Sequence, residues 1–171
     1  MENTIVNRVA SSPIVTLDLS EYKIEGERVM YDLKDNLFQG LVLREKDFRT
    51  FLKEHGWSVY AGKHVAIHCS ADAIIPSWAQ MLLTTYLAPH AETVVYGSFN
   101  DLEKQIIQKM LANINVEALT NRPVVVKGCG DIPFPEYIYV QLTQMLLPVV
   151  KSLMFGEPCS TVPIYKKKTA K

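Results

Sequence analysis

The chain has 171 residues, 48% hydrophobic and 21% charged, and its eighteen basic and eighteen acidic side chains cancel. That is the make-up of an ordinary globular protein, able to bury a core without staples, and the neutral balance leaves no electrostatic footprint for nucleic acid. Three widely spaced cysteines do not make a secreted disulfide framework and fit reduced thiols in a cytoplasm.

Residues 1–12 are polar and mixed, without the basic start and apolar stretch of a signal peptide, and read as a flexible N-terminus. Ile14 to Leu19 alternates apolar and polar, as a half-buried strand does. After the turn signal Glu25-Gly26-Glu27, Arg28 to Leu33 repeats the alternation, and Leu37 to Leu43 forms a third candidate strand interrupted by Gly40. This front section predicts antiparallel hairpins.

The period then changes. Phe48, Phe51 and Leu52 recur at helical spacing within Arg44 to His55, and Gly56 ends that helix. Lys63 to Cys69 predicts a strand, Ile74 to Leu87 a helix with Pro76 in its first turn, and Thr93 to Tyr96 a short strand. Asn100 and Glu103 have the spacing of a capping box for a helix reaching about Asn113. Pro123 to Lys127 predicts a buried strand, and Pro135 to Phe155 the last and longest helix, ended by Gly156.

From residue 63 the order strand, helix, strand, helix, strand, helix favours a parallel sheet. The expected fold class is α/β: a mostly parallel sheet flanked by helices, with N-terminal antiparallel hairpin strands extending it. No linker and no internal repeat stand out, so residues 13–165 read as a single α/β domain followed by a basic tail, 166–171. The longest apolar runs, such as Met145 to Val150, are too short to span a bilayer. The final helix is apolar over a wide arc, which suggests cover by a second copy and hence a homodimer.

The C-terminal ends of parallel strands share one edge, where ligands bind in such folds. Here that edge would carry His68-Cys69-Ser70-Ala71-Asp72, Gly97-Ser98 and Gly128-Cys129-Gly130-Asp131. Three readings of the cysteines follow. Cys69, Cys129 and Cys159, with Asp72 as a fourth ligand, would satisfy the four positions of zinc, with Asp131 and His68 as other candidates for the fourth. Cys159 joins that set only if the segment from Gly156 to Tyr165 folds back along the sheet. Alternatively the cysteines are small buried hydrophobes of a protein-interaction module. In the third reading Cys129, between two glycines, is a catalytic thiol, although no histidine lies beside it. His68 and Cys69 point to opposite faces of their strand, so a site-facing Cys69 would put His68 under a helix. Asp72 and Asp131 are equally placed to cap the helices that follow. Trp57 and Trp78 read as packing residues. There is no dinucleotide fingerprint, no phosphate-binding Gly-Lys-Ser loop and no nucleophile elbow, so no nucleotide cofactor is indicated.

The segments Leu43-Arg44-Glu45-Lys46-Asp47-Phe48-Arg49, Cys69 to Ala79, Val126-Lys127-Gly128-Cys129 and Met154 to Pro163 resemble an uncharacterised bacterial family, domain of unknown function 2480. The resemblance runs from about Pro13 to Lys167 and includes all three cysteines. It implies no activity, because none is assigned to the family. A looser likeness, in the hairpin strands and the strand–loop–helix around Ser70 to Pro76, is to STAS-like interaction domains with extensions.

Overall fold

The structure is a computed structural model that describes residues 13–128, 132–157 and 159–168. The chain forms two compact units, one from Ile24–Gln108 and one from the two flanking stretches, Met1–Lys23 and Lys109–Lys171.

The central unit holds a three-stranded parallel sheet in which β2 (Arg28–Asp32), β3 (His64–His68) and β4 (Thr93–Tyr96) lie in that order. β3 is buried along almost its whole length, as a strand covered on both faces must be. Helices α1 (Glu45–Glu54) and α2 (Trp78–Leu87) pack on the face made by Tyr31, Val65 and Ile67. On the other face Ala66 meets Leu102 and Ile106 of α3 (Phe99–Ala112).

The flanking unit holds a four-stranded sheet in the order β1 (Val15–Asp18), β5 (Pro123–Lys127), β6 (Ser152–Glu157), β7 (Ser160–Lys166). Its first three strands are parallel, and β6 and β7 form an antiparallel hairpin. Helix α4 (Pro135–Leu146) connects β5 to β6 and buries Ile138, Leu142 and Leu146.

The mixed, mostly parallel α/β fold is as expected, but three features differ. The antiparallel pair is C-terminal, not N-terminal: β1 and β2 do not form a hairpin and join different sheets, each parallel to its neighbour. The stretch around Phe38 to Val42 makes only isolated bridges. The last helix ends at Leu146 rather than Phe155, because Pro148 has no N–H to continue the ladder, and the apolar run Leu153-Met154-Phe155 is a strand. These arrangements do not bear out the STAS-like alternative.

The two units share one plan. A shift of 59 residues (123 − 64) carries β3, α2 and β4 onto β5, α4 and β6. The buried helix residues correspond: Ala79, Leu83 and Leu87 against Ile138, Leu142 and Leu146. So do the left-handed positions, Gly62 and Gly97 against Asn121 and Gly156. The loop hydrogen bonds repeat as well: Gly62 N–H to His90 O (3.2 Å) matches Asn121 N–H to Val149 O (2.8 Å), and Glu92 N–H to Lys63 O (2.8 Å) matches Lys151 N–H to Arg122 O (2.9 Å). The first strands extend the match. Asp32 stands beside His68 as Asp18 stands beside Lys127, and each aspartate precedes a fully buried leucine, Leu33 or Leu19. In the sequence the shift preserves Val65/Val124, Asp72/Asp131, Pro76/Pro135, Leu83/Leu142, Thr84/Thr143, Leu87/Leu146, Pro89/Pro148 and Gly97/Gly156.

Candidate functional site

In the central unit the strand ends are organised by Asp32. Its Oδ1 accepts the N–H of Lys34, capping a 3-10 turn, and also the N–H of Ser70, each at 3.0 Å. Its Oδ2 accepts the Ser70 hydroxyl at 2.6 Å and lies 3.4 Å from Lys34 Nζ and 3.8 Å from His68 Nε2. Burial works against the charge, but the Ser70 hydroxyl, the Lys34 and Ser70 amides and the His68 ring outweigh it and hold the carboxyl well below the usual carboxylate range. Ser70 and His68 thus both address the carboxylate, and a Ser–His–Asp relay, with the ring between hydroxyl and carboxylate, is not formed.

The flanking unit repeats the aspartate with different neighbours. The hydroxyl and N–H of Ser20 bind Asp18 and, with Lys127, lower its pKa. Lys127 Nζ lies 3.2 Å from Asp18 and 3.8 Å from Glu157, a solvent-facing ion cluster across β1, β5 and β6.

A pocket of about 270 Å³ opens between α4 and the strands β5, β6 and β7 of the same unit. Val126, Leu153, Met154 and Phe155 supply its sheet wall, Tyr139, Leu142 and Thr143 its helix wall, and Ile164 its β7 side. The volume is near the lower end for ligand pockets, about 300–1,000 Å³. Among the described residues no charged side chain lines it, and the lining side chains that carry an oxygen are Tyr139 and Thr143. Tyr139 and Phe155 stand edge to face, with ring centroids 5.1 Å apart. Both press on Gly128 at the end of β5: a Cβ there would lie 2.8 Å from the Tyr139 hydroxyl and 3.0 Å from Phe155 Cζ. The pocket thus runs along β6 from Leu153 to Phe155 and ends beside Gly128, just past β5. Ile164 is 53% exposed and Phe155 36%, which leaves the β7 side open to solvent.

The cysteines occupy different settings. Cys69 packs against the apolar cluster beneath α1 and α2, and its Sγ donates to the Ala71 carbonyl at 3.4 Å. It is His68 that turns towards Asp32, so the expected orientation of the pair is reversed. Cys159 is exposed in the turn between β6 and β7. The segment from Gly156 to Tyr165 therefore runs into a hairpin with β6. Cys129 and Asp131 lie outside the described residues. Among the described residues no group of three or more His, Cys, Asp or Glu is placed to hold a metal ion, so the expected zinc set of Cys69, Cys129, Cys159 and Asp72 is not shown. Trp57 is a core residue whose indole N–H donates to Leu52 O at 2.7 Å. Among the described residues no helix is long and apolar enough to cross a membrane.

A family model described as a protein of unknown function, DUF2480, matches residues 3–167. The chain belongs to the DUF2480 family. No curated protein and no solved structure matches this DUF2480 chain. The pocket of the DUF2480 fold was not visible in the sequence, because its lining comes from four elements and contains no motif. The one local signal is Gly128 at a strand end, whose missing side chain makes room for Tyr139 and Phe155.

Proposed function

We propose that the protein binds a small apolar molecule in the pocket between α4 and strands β5 to β7. The observation that carries this reading is the lining itself, among the described residues an uncharged wall dominated by aliphatic and aromatic side chains. Burying apolar surface is worth about 25 cal/mol per Å², so an apolar ligand gains where a charged one would lose its hydration without a partner. Cys69 and Cys159 are not among its lining residues.

Toluene tests the reading as a neutral hydrocarbon of suitable size. Two-dimensional amide NMR of the full chain should show saturable shifts at Val126, Leu142 and Phe155. Ile164→Trp, at the exposed side of the pocket, should block them while leaving the remaining spectrum in place. Absence of saturable shifts in the wild-type chain would remove the proposal.

A further inference from the structure

The repeat supplies a comparison within the molecule that bears on which ligand the pocket takes. Thr84 and Thr143 occupy the same helix position, 59 residues apart (143 − 84). The Thr84 hydroxyl is spent on its own helix, donating to the Gln80 carbonyl at 2.8 Å. Thr143 shows no such bond among the described residues, and its side chain lines the pocket instead. The counterpart of Gln80 is Tyr139, whose hydroxyl also stands at the pocket, over Gly128. The remaining lining side chains carry no oxygen or nitrogen, and the Phe155 ring is among them. Ring edges make favourable contacts with aromatic rings.

We infer that the preferred ligand is a neutral, ring-sized molecule that carries one hydroxyl, of the aromatic alcohol class. This rests on the binding reading above and adds its chemical selectivity. Thr143 is the group that recognises the ligand oxygen, and the apolar walls hold the ring. The volume admits on the order of ten non-hydrogen atoms, taking roughly 30 Å³ for a water-sized group. A carboxylate is disfavoured because, among the described residues, no cation lines the pocket to compensate its desolvation.

Three matched probes separate the terms: toluene, benzyl alcohol and benzoate, titrated into the full chain and followed by the amide shifts of the pocket residues. Benzyl alcohol should bind about tenfold more tightly than toluene, the equivalent of one well-made hydrogen bond. Benzoate should bind more weakly than either. Thr143→Val, which keeps the shape and removes the hydroxyl, should erase the preference, so that benzyl alcohol binds no more tightly than toluene to the same variant. Toluene binding with no gain for the alcohol, an equal gain in Thr143→Val, or tighter binding of benzoate would each overturn this inference while leaving the binding reading intact. Failure of all three probes to bind would overturn both.

Discussion

Asp32 and Ser70 are 38 residues apart in sequence and joined twice, by the Ser70 N–H at 3.0 Å and the Ser70 hydroxyl at 2.6 Å. The carboxylate ties the end of β2 to the loop that leaves β3, and its charge is held by the bonds it receives.

Stability should therefore depend on the ionisation of Asp32. Its folded pKa lies below the unfolded value of about 3.9, so the contribution is complete above that pH and fades as pH falls below it towards the folded pKa. Asp32→Asn should lower stability at pH 7 by roughly 1 kcal/mol, a charged hydrogen bond moderated by solvent screening. The gap between variant and wild type should narrow below about pH 4. Urea unfolding at a series of pH values reads this directly, and a gap that widens on acidification would contradict it.

Gly97 and Gly156 hold equivalent positions, with φ of 146° and 123°. A Cβ would meet the Asp101 carboxylate at 2.6 Å in the first case and the Ser160 carbonyl at 2.6 Å in the second. Alanine at either site should cost about 1–3 kcal/mol. Gly156→Ala should cost more, because its obstacle is backbone and cannot rotate away. Thermal melts of the two single variants give the order.

Glu103 is 6% exposed and accepts from Arg28 Nε at 3.0 Å, while its second carboxylate oxygen is buried without a partner among the described residues. Arg28 also donates to the carbonyls of Gly26 and Ile24, pinning the approach to β2. Glu103→Ala should destabilise by about 3 kcal/mol, since it strands a largely buried guanidinium. Replacing both partners, Arg28→Met with Glu103→Leu, should cost less than Glu103→Ala alone. Denaturant midpoints of the variants decide the comparison.

The thiols should differ in reactivity. Cys159 is exposed and Cys69 is packed against the core. Native-state alkylation followed by peptide mapping should label Cys159 rapidly and Cys69 only slowly, until denaturant equalises them. Cys69→Ala should remain folded, with a loss of about 1 kcal/mol.

Much of the fold was legible as isolated elements. Thr93 to Tyr96 and Pro123 to Lys127 are strands at the expected residues, and α1 differs by one residue at each end. Pairing was not legible, because alternation along Ile14 to Leu19 says that one face is buried but not against which neighbour. The turn signals around Gly26 suggested a hairpin, while that glycine lies close to the His64 ring. The first turn of α3 shows the same limit. Ser98, not Asn100, closes the capping box with Asp101, at 2.8 and 3.3 Å, and Glu103 is taken by Arg28. Beyond Pro148 a short apolar run fits helix and strand equally well, which hid β6 and with it the hairpin and the pocket. The repeat was obscured by divergence at most positions, while the prolines, the helix leucines and the strand-end glycine survived at constant spacing.

The register of β1 has a consequence for synthesis. Val15 pairs with Val124, 109 positions further on (124 − 15), and the whole central unit is made in the interval. At about 5–20 residues per second, the first strand waits for roughly 5–20 s before its partner leaves the ribosome. The central unit can close during that delay, since its strands and helices are contiguous in the chain. Strand β1 is thus made before the central unit and paired only after it, and during the wait its unpaired edge is open to a trapping chaperone or to another nascent chain.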